Sequence, residues 1–217
     1  MYRIEFGKKR PAGNYACDFG SNAVVWGPSA GNINGIDGEE LSQGEVRTRL
    51  AIYDDFAQKQ QKNPELADAR VIETPPMLGI RQTRFIEGEY KLTADDAIIG
   101  RRFDDVVAVS SCAIIHYYGY RRYLEHEGYD IPYRCLVPKK IDNLLIAGRC
   151  ISSEQPPYES HRAIVNILAI GQAAGTAAAL CVKTKSIPRK LDVKKLQAHL
   201  DKDGALVRLP ASQKATA

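Results

Sequence analysis

The chain has 217 residues, enough for one sizeable domain or for a domain with part of another. Hydrophobic content of 44% and charged content of 26% exclude wholesale disorder. A net charge of +4, spread along the chain, is too small and too dispersed to indicate a nucleic-acid partner.

From the N-terminus, RIEF and NAVVWG read as short strands separated by the turn KKRPAGN. A helix follows, with Ser42 as its expected cap and Glu45 at capping-box spacing. Its apolar positions Val46, Leu50, Tyr53 and Phe56 recur at helical spacing, and Asn63-Pro64 ends it. Ala69–Thr74 and Thr83–Tyr90 read as strands around Pro75-Pro76. Thr93–Asp96 opens a short helix, and Phe103–Ser111 leads towards a strand at Cys112–Tyr117. Ile131–Leu136 is an expected edge strand, since it contains a proline. Near the end, Asp192 caps an amphipathic helix with Val193, Leu196 and Leu200 on one face.

The stretch from Lys140 to Val182 is the richest. It predicts a buried strand at Leu144–Ala147, a Gly148-Arg149 turn, a polar loop and a long helix over Ala163–Val182. A strand that leaves through glycine towards a helix N-terminus is how open α/β sheets build nucleotide sites. The free amides at such a helix start favour an anion. His161 and Arg162 fall at the expected start of the helix, where their charge opposes the dipole unless an anion sits beside them. The small residues Gly171, Ala174, Gly175 and Ala178 are expected to face protein, with the helix lying close on a sheet. Gly171-x-x-x-Gly175 in an apolar stretch also fits a membrane helix. Asn166, Gln172 and Thr176 and the preceding strand-turn unit weigh against that, so no membrane is expected.

The five cysteines are far apart, odd in number and without metal or redox spacing. Free thiols and no metal site are therefore expected. MYRIEFGKKRPAG has no apolar run after its charges, so no signal peptide is read there and the expected location is cytoplasmic.

NLLIAGRCIS, followed by GQAAGTAAAL, resembles the C-terminal end of FAD-dependent oxidoreductases of the two-dinucleotide-binding-domain type. GIRQTR, GEYKLTADD, GRRFDD and IPYRCLVPKK extend the resemblance upstream, and LDVKKLQAHLDKDGA extends it downstream. The resemblance implies an α/β (mixed α+β) architecture. A substrate-side mixed-sheet domain would occupy 1–130. The C-terminal strand and helix of a Rossmann-like FAD/NAD(P)-binding domain would occupy 131–185, and 186–217 would be a linker, terminal helix and tail. No G-x-G-x-x-G occurs in the chain, although that motif wraps the pyrophosphate in this family. The chain is then either a fragment, or a separate polypeptide supplies the GxGxxG half.

By the same resemblance the cofactor is FAD, held by Gly148, Arg149, Cys150, Ser160, His161, Arg162 and Gly171. Arginine suits phosphate through its forked donors. The implied reaction moves a hydride between a small organic substrate and the flavin. His116 is the candidate base; the family tends to carry an acidic residue at the position occupied here by Ile115. Arg81 and Arg84 would hold a polar or anionic substrate, although Gln82-Thr83 stands where the family more often has glutamate-serine. The alternative is a non-catalytic binding or assembly subunit of the same fold that holds no flavin on its own.

Overall fold

A computed structural model of the protein describes residues 1–7, 15, 17–115 and 121–209. They form two compact units, Met1–Thr83 and Arg84–Ala217. The divisions expected after residues 130 and 185 both fall inside the second unit. Leu92, Ile131, Ile170, Leu196 and Leu200 belong to one core there, which holds those segments together.

In the first unit, β1 (Tyr2–Glu5), β2 (Cys17–Phe19), β3 (Asn22–Val25) and β4 (Arg70–Glu73) form an antiparallel sheet of order β2-β3-β1-β4. Alternation along the strands buries Tyr2, Ile4, Ala23 and Val25. Helix α1 (Gly38–Lys62) covers that face with Ile52 and Phe56.

The cap of α1 is Asp37, which accepts the amides of Glu39 and Glu40. Ser42, the expected cap, is already inside the helix, and its hydroxyl donates back to the Gly38 carbonyl at 2.7 Å. The expected apolar face is also rotated. Val46, Leu50 and Tyr53 are exposed, and the row Gly44, Ile52 and Phe56 is buried. Gly44 explains the rotation: a Cβ there would meet the Ile33 Cδ1 at 2.1 Å, so the helix settles on its glycine.

The first helix of the second unit is α2 (Ala94–Ile99), a short helix where the sequence predicts one, and a capping box between Thr93 and Asp96 opens it. Strands β5 (Val106–Ser110) and β8 (Tyr129–Pro132) pair antiparallel, as do β6 (Ile114–Ile115) and β7 (Arg121–Arg122). Three helices follow: α3 (Gln155–His161), α4 (Ile164–Thr184) and α5 (Val193–Lys202). Asp192 caps α5, and Leu196 and Leu200 are buried against α4 and β5.

Several expectations are corrected. Leu144–Ala147 is not a strand. It is an irregular extended run tied to its surroundings by the Ile146 amide on the Leu136 carbonyl at 2.9 Å, and Leu144 and Ala147 are exposed. An extended segment becomes a strand only when a neighbour completes its ladder, and no described strand lies beside it. Thr83–Tyr90 likewise contributes a single bridge, Gly88 to Pro138. The edge strand expected at Ile131–Leu136 starts earlier and ends at Pro132, where the chain turns into a 3-10 helix at Tyr133–Cys135.

Helix α4 buries Ile170, Ala173, Ala174, Ala177, Leu180 and Cys181. Gly171, Gly175 and Ala178, expected to face protein, are exposed, and no atom lies within 4 Å of a Cβ built on either glycine. Ile164, Val165, Leu168 and Val182 are also exposed. By length and composition α4 could cross a membrane, and 39% of its apolar window is buried within the protein. The fold is a mixture of helices and small sheets, consistent with the α/β class. The described sheets are antiparallel, so the parallel arrangement of a Rossmann-like domain is not formed among the described residues.

Candidate functional site

The Gly148 turn projects from an anchored segment. Past it, the Cys150 carbonyl accepts the Ile86 amide at 3.0 Å. Ile151, Ser152 and Ser153 are buried, threaded between Leu92 and Cys135. The Ser152 amide donates to the Cys135 carbonyl at 3.0 Å, and the Leu92 amide donates to the Ser152 carbonyl at 3.1 Å. The turn itself stands open. Gly148 has φ +94, which L side chains rarely adopt, and a Cβ there would meet nothing within 4 Å. Arg149 is exposed, and the half-buried Cys150 thiol donates to the Ala147 carbonyl at 3.7 Å. Backbone can therefore approach a ligand closely at Gly148, with a guanidinium next in sequence.

Ser160, His161 and Arg162 do not start the long helix. Ser160 and His161 end α3, and Arg162 is its C-cap. The opposition between charge and dipole expected there is reversed, because a cation at a helix C-terminus is favoured. The break comes at Ala163, whose φ of −61 and ψ of 142 leave the helical region; the long helix starts there as expected, and part of the expected polar loop is the short helix α3. Helix α4 then begins without a side-chain cap, on the exposed residues Ile164 and Val165. The Asn166 and Ile167 amides donate to the Ala163 carbonyl at 3.0 and 3.1 Å, which leaves the Ile164 and Val165 amides as those a helix start does not satisfy.

Ser160 is spent on a buried polar chain that sequence reading missed. Asn166 Nδ2 donates to Ser110 Oγ at 2.9 Å, Ser110 Oγ lies 3.0 Å from Ser160 Oγ, and Ser160 Oγ donates to the Cys112 carbonyl at 2.6 Å. Asn166 also donates to the Ser160 carbonyl at 3.3 Å. The available signal was Asn166 itself, one polar side chain in an apolar helix.

His161 is fully buried, its ring edge-on to Tyr158 at 5.9 Å, and among the described residues neither ring nitrogen has a hydrogen-bond partner. Burial lowers its pKa to about 4, so the ring is neutral at pH 7. The Arg162 guanidinium lies 5.9 Å from the Tyr158 ring centroid and donates to the Ile115 carbonyl at 3.3 Å.

Arg81 and Arg84 are exposed and lie in no strand. They also fall on opposite sides of the division between the units. Gly171 is exposed midway along α4. His116, with Tyr117 and Tyr118, lies outside the described residues. A separate cavity of about 410 Å³ is lined by Tyr133, Val137, Leu191 and Val193 and walled by the Arg134–Asp105 and Arg189–Glu89 pairs. It shares no lining residue with the Gly148 turn.

Comparison with curated proteins and with solved structures finds no match. A family model described as FAD dependent oxidoreductase matches residues 7–200. That span covers most of the sequence and both compact units, and on it the chain belongs to the FAD-dependent oxidoreductase family.

Proposed function

We propose that this chain forms the substrate-side and flavin-facing part of an enzyme that moves a hydride between a small organic substrate and FAD. The carrying observation is the Gly148 turn: positive φ, open space beside the backbone, and an exposed arginine next in sequence. Those features fit one polar end of a flavin nucleotide. Gly148 would admit the ribityl or phosphate group, Arg149 would offer charge-assisted donors, and the uncapped start of α4 would supply backbone amides. When bound, the flavin supplies the hydride chemistry, and the protein orients and polarises. Ser160 and His161 are left out of the binding set because they are buried and Ser160 is already bonded.

These 217 residues hold no phosphate-wrapping glycine motif, so in this reading residues outside them, in the same polypeptide or another, complete the FAD site. Arg81 and Arg84, both exposed, point to a polar or anionic small molecule as substrate. All five cysteines are unpaired, which supports a reducing, cytoplasmic setting.

The test has two arms. Titrating the purified chain with FAD by fluorescence quenching should show weak or no binding. In the assembled enzyme, Arg149→Ala should lower flavin retention by about 1–3 kcal/mol, the range for one charge-assisted hydrogen bond. Lys183→Ala, an exposed site in the last turn of α4, should leave retention unchanged. Tight stoichiometric binding by the chain alone, or equal behaviour of the two variants, would overturn the reading.

A further inference from the structure

We propose that His126 is a proton-sensitive latch that holds the connection between β7 and β8 against the C-terminal end of α2. The ring uses both nitrogens. Nε2 lies 2.9 Å from the Ala97 carbonyl and 3.0 Å from the Ile98 carbonyl, in the last turn of α2. Carbonyls only accept, so Nε2 carries the hydrogen. Nδ1 accepts the Gly128 amide at 3.1 Å, so it carries none. One neutral tautomer is thereby fixed.

Two glycines make the fit. Gly100 caps α2 with φ +67, and a Cβ there would lie 2.9 Å from the ring Cγ and Nδ1. The ring therefore packs where a side chain would otherwise be. Gly128 has φ +143, and a Cβ there would lie 2.5 Å from the Ser110 carbonyl on β5. The connection is gripped between α2 and β5, and His126 is its side-chain hold.

Protonation acts on the two nitrogens in opposite directions. A cationic ring keeps its Nε2 hydrogen and donates more strongly to the α2 carbonyls. The new Nδ1 hydrogen, however, faces the Gly128 N–H, and two donors cannot share the space. The ring stays on α2 and Gly128 lets go, leaving a buried amide without an acceptor. The surrounding charges do not cancel this. On α2, Asp96 is paired with Arg101 and Asp95 is exposed. Beyond it, Asp130 on β8 is paired with Arg102. Glu125 and Glu127, exposed on the same connection, are the carboxylates left to receive the new hydrogen. The connection continues from the hairpin of β6 and β7, and β6 packs on α3, so loosening it slackens the hairpin as well.

The test combines the ring titration of His126 with the exchange protection of the Gly128 amide, followed by NMR on the full chain. His126→Asn identifies the ring by removing its resonance. Asn also keeps an acceptor for the amide two residues on, as in an Asx turn, and does not titrate. In the unsubstituted protein, Gly128 protection should fall about tenfold as the ring protonates, the factor that one lost hydrogen bond carries. In His126→Asn, protection should persist and stay flat with pH. Protection that ignores the ring titration, or an equal pH dependence in His126→Asn, would overturn the latch.

Discussion

The Gly148–Cys150 turn and the Ser160–Asn166 junction lie within twenty residues of each other, yet the fold treats them oppositely. The turn is open, has its one positive φ at a glycine, and is anchored by its buried flank. The junction is closed: Ser110, Ser160, His161 and Asn166 are all buried, and three of them consume one another's hydrogen-bonding capacity. A polar residue in a family motif is therefore not automatically a ligand residue. Burial decides first whether it can meet anything, and by that criterion Ser160 and His161 are closed off while Gly148 lies beside open space.

The largest expected effect probes the closed side. The folded His161 ring stays neutral down to about pH 4, and the same ring in an unfolded chain takes its proton near 6.5. Between those values the unfolded state binds more protons. Stability from this residue is thus complete above about 6.5 and declines as pH falls towards 4, by ~3 kcal/mol in all. Urea unfolding across that window should show the slope, and His161→Phe should flatten it. An unchanged slope in His161→Phe would mean that another group is responsible.

Next is Asn166→Ala. It removes a donor from Ser110 and from the Ser160 carbonyl in a buried setting, and should cost about 2 kcal/mol by denaturant unfolding. On the open side, Gly148→Ala meets no atoms and should cost about 1 kcal/mol through its backbone conformation alone. Arg149→Ala should change stability least, by under about 0.5 kcal/mol, in keeping with an exposed side chain. If Arg149→Ala destabilised the chain as much as Asn166→Ala, the contrast between the regions would collapse.

Most local signals in the sequence were read as they fold, the Ser42 cap being the exception because Asp37 takes that place. The alternation of RIEF and NAVV, the short helix opening at Thr93, the Asn63-Pro64 stop and the Asp192 cap all depend on neighbours a few residues away. What failed depends on distant partners. Leu144–Ala147 has strand composition, but a strand needs a ladder that other segments must provide. The apolar row of α1 was misjudged because Gly44, not Leu50 or Tyr53, sets the close approach. His161 and Arg162 were misplaced because nothing in Ser160-His161-Arg162-Ala163 announces a break without proline or glycine. For the site, glycine and arginine at 148 and 149 were legible as a turn. The spending of Ser160 on Ser110 was not, since those residues are 50 positions apart.

The glycines of α4 carry a further consequence. Gly171 and Gly175 each leave a helix interior weaker than alanine would, by about 1 kcal/mol. That penalty is ordinarily offset by a backbone that needs the room, as Gly44 offsets it against Ile33. At Gly171 and Gly175 no atom of another segment among the described residues comes near enough to need it. The helix is therefore looser than alanines would leave it, with no steric return among the described residues. An alanine at either position would leave every contact of the chain intact and stiffen α4, so these two sites report on the helix's own rigidity separately from its packing.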